Sequence, residues 1–199
     1  MEFNPNMLVG VAAGVGLSAA CGFRVFVPLL AASIAHKFGL LPLADNFSWL
    51  GSWPAIITFA TASILEVLAY YIPFVDNLLD TIASPAAMVA GTVVSASTMV
   101  HLDPTWQWIL GIIVGGGSAG IIQAGTGLTR LGSSKFTAGA GNGVVATGEN
   151  VAAIGGSITA LVAPLVMIVL VAITIVAVLL MISKFFFKKK KEETAAIEG

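Results

Sequence analysis

Three ionisable side chains stand where an apolar chain tolerates them least. Arg24 lies inside the apolar run Met7 to Ala35, Glu66 inside Trp53 to Ile72, and Glu149 inside Val144 to Leu161. A charge near the middle of a bilayer costs at least ~2.5–3.5 kcal/mol on insertion scales, so each must turn to a bundle interior or a wet cavity. Two chemistries follow. The carboxylates could bind a proton or cation along a gated polar path that Arg24 also lines. Alternatively, Arg24 and Glu66 could form an ion pair that only keeps two helices in register. The weak, polar run around Glu149 favours the path at that position.

Other polar residues flank these runs. Asp76 and Asp80 are spaced i, i+4, which puts both carboxylates on one face of a helix. They are candidates for a cation site or a gate at the mouth of the path, against a plainer role in capping and solvating the next helix. The stretch Ser133 to Gly143, with Gly139, Gly141 and Asn142, lacks the lysine-serine ending of a phosphate loop. It reads instead as a re-entrant or irregular approach to a short helix, with Asn142 on the path, or as a cytoplasmic loop. His36 and His101 are isolated in expected outer loops and read as solvated. Cys21 is the sole cysteine, which excludes an intrachain disulfide. No nucleophile or metal constellation for an enzyme acting on lipid is visible, and no cofactor is implied. No enzymatic activity is expected.

The elements that must position these residues follow from composition. Of 199 residues, 57% are hydrophobic and 10% charged, and the mean hydropathy is +0.98. Soluble domains carry about 25% charged residues, so lipid must be the solvent for most of this chain. A net charge of −1 gives no reason to expect a nucleic-acid partner. At ~20 apolar residues per crossing, six spans are expected. The remaining three are Ile82 to Val100, Trp106 to about Leu128, and Pro164 to Ile182. Residues 1–183 then form one transmembrane bundle, and 184–199 a basic tail without fixed structure.

Orientation is read from lysine and arginine. Lys184 and the run Lys188 to Lys191 hold five of the nine basic residues, which places the C-terminus on the cytoplasmic side of the membrane. Counting back through six spans puts the N-terminus, Arg130 and Lys135 on the same side. It also puts Trp49, Trp53, Trp106 and Trp108 at the outer interface. The lysine run also suits anionic lipid.

An internal repeat shapes the fold expectation. Leu8 to Gly16 aligns with Ile109 to Gly117, the three glycines coinciding, and Glu66-Val67-Leu68-Ala69 aligns with Glu149-Asn150-Val151-Ala152. Each is followed by a proline, Pro85 or Pro164, placed to open the next helix. Two three-helix units, 7–100 and 106–182, would then be related by inversion, the plan of many transporters. The pairs Gly10/Gly14 and Gly111/Gly115 read as close-packing faces.

The segments Ala19 to Leu30, Glu66 to Ala69, Ile72 to Asp80 and Gly141 to Val145 resemble, in order, a family of small bacterial membrane proteins known as domain of unknown function 4126. The resemblance implies a fold and a set of polar positions, but no activity. The family commonly has a lysine at the place of Tyr71 and an acid at that of Asn150.

The expectation is therefore an all-α, multi-pass membrane protein of about six transmembrane helices in two inverted repeats. It would move a small solute or ion past Arg24, Glu66, Glu149 and Asn142, with Asp76 and Asp80 at a cation site or gate. The competing expectation is a structural or accessory subunit. Its partners would be the bilayer together with further copies of itself or a larger membrane complex.

Overall fold

Glycine and proline, not hydropathy, decide where the first apolar run stops being one helix. The computed structural model describes residues 5–72, 75–137 and 140–198, and within them the side chains of 8–185 except Asn77. Glu2 in the leader, Pro73, Gly139 and the Lys188 to Lys191 side chains lie outside the described residues. Helix α1 (Pro5–Cys21) ends in a turn at residues 22–25, and α2 (Phe26–Lys37) follows. Gly22 sits in that turn against α6 (Gly117–Thr137), where a Cβ would meet the Ala119 carbonyl oxygen at 2.6 Å. Pro28 falls in the first turn of α2, where its missing N–H costs nothing.

A short 3-10 segment (Asp45–Gly51) leads into α3 (Trp53–Ala69), whose first turn is capped by Ser52 and contains Pro54. Helix α4 spans Val75–Ser97, and α5 (Pro104–Leu110) is capped by Asp103. A π-helical segment, Gly111–Gly116, joins α5 to α6 without a break. Helices α7 (Asn142–Val162) and α8 (Pro164–Glu198) complete the bundle.

Neighbour contacts fix the directions. Along α4, Gly14 packs on Thr98 while Ser18 donates to the Gly91 carbonyl at 2.8 Å, so α1 runs antiparallel to α4. Helix α2 runs the other way: Leu29 shares a wall with Val93 and Ala90, and Phe26 shares one with Ile82 and Ala83. Both outer ends of α1 and α2 therefore lie at one end of the bundle, and residues 5–37 form a re-entrant hairpin. Ser18 lies about 10 Å along α4 from Thr98, and the tip at Arg24 is deeper still.

That end of the bundle is aromatic. The Ala44 amide bonds Ser97 at 2.8 Å, Phe47 stacks near Trp108 at 5.3 Å, and Lys37 lies 5.2 Å from the Trp53 ring. Trp49, Trp53, Trp106 and Trp108 are all exposed there, as expected of residues at one membrane interface.

Four helices are long and apolar enough to cross a membrane: Leu78–Ser97, Pro104–Thr137, Asn142–Val162 and Pro164–Phe185. A fifth forms if α3 is joined to the 3-10 segment across a bend of 60°. The chain is all-helical among the described residues and reads as a multi-pass membrane protein.

Several expectations are corrected. The run Met7 to Ala35 is not one helix but α1 and α2 joined by a turn, and α1 begins at the aromatic end of the bundle. The break expected at Pro73 to Asp80 is already helical from Val75, and Pro85 lies inside α4 rather than opening it. Helix α6 continues through Thr137, absorbing the first part of the stretch Ser133 to Gly143. The tail continues α8 as helix to Glu198. The structure does not bear out two inverted three-helix units. Helices α3/α7 and α4/α8 do run oppositely, but α1 and α5 both enter from the aromatic end, whereas inversion requires opposite directions. The two glycine pairs do pack closely: Gly14 on Thr98, Gly111 on Thr92 and Ala96, and Gly115 on Gly91 and Ser95.

An epitope tag fused to the N-terminus should be recognised from the same side of the membrane as a cysteine replacing His101. Ala196→Cys should react with an impermeant thiol reagent only from the other side. A tag and residue 196 accessible from one common side would restore a first helix that spans.

Candidate functional site

The hairpin tip presents its free amides to a carboxylate. A helix start leaves backbone N–H groups without intrahelical partners. At α2 these are met by Glu66 of α3, whose two oxygens accept from Val25 N at 2.7 Å and Phe26 N at 3.0 Å. Only 8% of Glu66 is exposed. It thus caps a helix across 41 positions of sequence, and the positive end of that helix favours its charge.

Arg24, at the tip itself, goes elsewhere. One face of α7 carries Asn142, Ala146, Glu149, Asn150 and Ala153 at helical spacing, all buried. Arg24 Nη1 donates to Glu149 Oε2 at 2.7 Å, Nε to Asn150 Oδ1 at 2.6 Å, and Nη2 to the Ala146 carbonyl at 3.1 Å. From α6, Arg130 donates Nε to Glu149 Oε1 at 3.0 Å and Nη2 to Glu149 Oε2. One carboxylate therefore bonds to two guanidinium groups that are 1% and 3% exposed. Tyr70, just past the end of α3, lies against both cations, its ring centroid 4.0 Å from the Arg24 guanidinium carbon and 4.1 Å from that of Arg130.

The carboxylate that pairs with Arg24 is thus Glu149, not the Glu66 of the structural alternative. Glu66 is committed to amides, and the chain direction at the tip sends Arg24 toward α7. Arg130, read from sequence as a cytoplasmic residue, is an internal one. Its signal was the helical spacing of buried Ile122, Gln123, Thr126 and Arg130, which a glycine-rich composition disguised.

The acidic pair lies on the same side of the bundle. Asp76 is buried and accepts from Asn142 Nδ2 at 3.0 Å, and that amide also bonds Ser134 Oγ at 3.1 Å. Asp80 lies 3.6 Å from Arg130 Nε, an ion-pair distance without a hydrogen bond. Its Oδ1 and Arg130 Nη1 are both buried with no hydrogen-bond partner. Solvated capping therefore does not describe Asp76, and the contacts form two groups: Arg24, Glu149, Arg130 and Asp80 in one, and Asp76, Asn142 and Ser134 in the other. Among the described residues no group of three or more His, Cys, Asp or Glu could hold a metal ion.

Tyr71 and Asn150 are partners. Asn150 Nδ2 donates to the Tyr71 hydroxyl at 3.1 Å, and that hydroxyl also meets Thr147 Oγ1 at 2.9 Å. At these two positions this chain holds a neutral hydrogen bond beside the ionic cluster.

Two cavities reach the carboxylates from different sides. A space of about 410 Å³ between α6, α7 and α8 touches Glu149 and the hydroxyl-bearing Thr126, Thr129 and Thr174. A second, of about 320 Å³, opens between α3 and α4 and touches Glu66 and Tyr70.

A family model described as a domain of unknown function (DUF4126) matches residues 11–184, which contain every residue of both groups. No curated protein and no solved structure matches the chain.

Removing the shared carboxylate should be the costliest single change in the cluster. Glu149→Gln removes the bonded anion of Arg24 and leaves Arg130 with Asp80 alone, a loss of about 3–5 kcal/mol when one partner of a buried pair is removed. Glu66→Gln keeps one acceptor oxygen for the tip amides and should cost about 1–2 kcal/mol. Thermal unfolding in detergent checks the order, and a Glu149→Gln protein as stable as wild type would contradict it.

Proposed function

The chain belongs to the DUF4126 family, and we propose that this multi-pass membrane protein is a transporter or channel for a small ion or solute, with its intramembrane carboxylates on the path. The observation that carries the reading is the environment of Glu66, a buried carboxylate that accepts from two backbone amides while the Arg24 guanidinium beside it is bonded to Glu149 and Asn150. A carboxylate so placed in a low-dielectric interior is stabilised by taking up a proton or a cation. A site that binds such an ion, next to cavities that reach it, has the parts of a conducting path.

The re-entrant hairpin supports the same reading. Irregular backbone at membrane depth is tolerated where it is buried in protein or lines a polar route, and broken helices of this kind form ion and substrate sites in transporters. Within the path, the roles of the two glutamates divide. Glu149 is held by two arginines and acts as the fixed centre of the cluster. Glu66 has no guanidinium partner and faces a cavity, so it is the carboxylate free to exchange its ion. Asn142 and Asp76 close the end away from the tryptophans, in the position of a gate. The lysine-rich end faces the cytoplasm of the inner membrane, with the hairpin entering from outside.

In vesicles reconstituted with purified protein, Glu66→Gln should abolish proton or monovalent-cation flux while the protein still folds and inserts. Wild-type flux in that variant would remove Glu66 from the path. The absence of any flux in the wild-type protein, tested across protons and monovalent cations, would favour a structural subunit instead.

A further inference from the structure

The cavity at Glu66 does not stop there. It shares Val25, Phe26, Ile82 and Ala86 with a neighbouring space of about 450 Å³ that runs toward Val93 of α4. Taken from Leu79 to Val93, the combined cleft follows α4 for about 20 Å at 1.5 Å per residue. Its walls are apolar throughout, with small Ala62, Ala83 and Ala86 leaving the width. Trp49 and Phe59, whose rings lie 6.5 Å apart, line its far part near the aromatic end. Its only carboxylate is Glu66, which lies toward the inner end, with Tyr70 beside it.

We infer that this cleft binds a lipophilic monocation, an amphiphile with one ammonium head at Glu66 and one slender apolar body along α4. The shape selects the body, since the cleft is long, narrow and apolar. The charge selects the head. Glu66 is nine-tenths buried, and each of its oxygens receives one backbone N–H and no ammonium or guanidinium contact. The ionisable groups around it are Cys21 and Arg24 of the hairpin, Tyr70 beyond α3, and Glu149 of α7. Arg24, the cation among them, is bonded to Glu149 and Asn150 instead. An anionic amphiphile would be repelled, and a neutral chain would leave the carboxylate as it was. A cationic head supplies the charge that Glu66 lacks and must displace a proton where Glu66 carries one. That exchange is how the site would couple to the proposed ion path, and only this coupling, not the binding, rests on that reading.

The probe is labelled dodecyltrimethylammonium, whose charge is independent of pH, added to the full chain in neutral phosphatidylcholine nanodiscs and followed by equilibrium dialysis. Saturable binding of one molecule per chain is expected, without competition from excess dodecanol. Glu66→Gln should weaken it by about tenfold or more, the loss of one charge-assisted contact. Ala86→Phe, which fills the cleft and leaves the carboxylate in place, should weaken it similarly and guards against a Glu66 variant that does not fold. Equal competition by dodecanol would mark the cleft as a groove for lipid tails and overturn the inference, as would wild-type binding in both variants. Glu66-dependent flux without probe binding would overturn this site and leave the ion path standing. Probe binding with no flux would do the reverse.

Discussion

The arrangement depends on one carboxylate answering two cations. Arg24 is carried into the bundle by a chain that turns back on itself, and Arg130 comes in from α6. Neither can stay in an apolar interior without a counter-charge. Glu149 meets both, so three elements that share no local sequence are tied at one residue. The desolvation of three ionised groups is a large cost, which such a site offsets only when most donors and acceptors are satisfied. Here Asn150, the Ala146 carbonyl and the Tyr70 ring supply most of the remainder. The exceptions are Arg130 Nη1 and Asp80 Oδ1, buried on facing groups and both unbonded. That unfinished edge is where the cluster has room to rearrange.

Close packing makes the hairpin tolerable. Helix α1 lies against α4 along Gly14 and Ser18, with the Ser18 hydroxyl donating to both Gly14 O and Gly91 O. On an adjoining face of α4, Gly111 and Gly115 let the π-helical segment approach as closely. A π segment leaves some carbonyls out of register, and it falls where glycine keeps the backbone near a partner helix. In lipid, where no hydrophobic force draws helices together, such contacts provide the association.

Much of this was legible in the sequence, and the failures have a common origin. Three buried ionisable residues in apolar runs could be singled out because burial of charge demands a partner, and all three face the interior. The identity of the partners was not legible. Whether Arg24 points to α3 or α7 depends on the turn at residues 22–25, and hydropathy is blind to turns. Gly22 and Pro28 were the available signals: a glycine that ends a helix followed by a proline in the first turn of another. Arg130 was hidden for the converse reason. Glycine, serine and threonine around it read as a loop, yet in a membrane protein the same residues are helix-packing material. The direction of α1 follows from the hairpin alone, since counting spans transmits one error to every element before it.

The two glutamates show why equal residue types at comparable depth need not have equal roles. Glu149 sits between guanidinium groups, so its charge is fixed by its neighbours and its removal uncovers theirs. Glu66 is stabilised by two amides and a helix terminus, whose partial charge is about half an elementary unit. That is enough to hold a carboxylate in place but not to neutralise it. A carboxylate that is positioned but under-neutralised, with a cavity at its side, can exchange a proton for another cation without dismantling the structure that holds it. The hairpin tip is thus both the element Glu66 secures and the source of the partial charge that leaves it available.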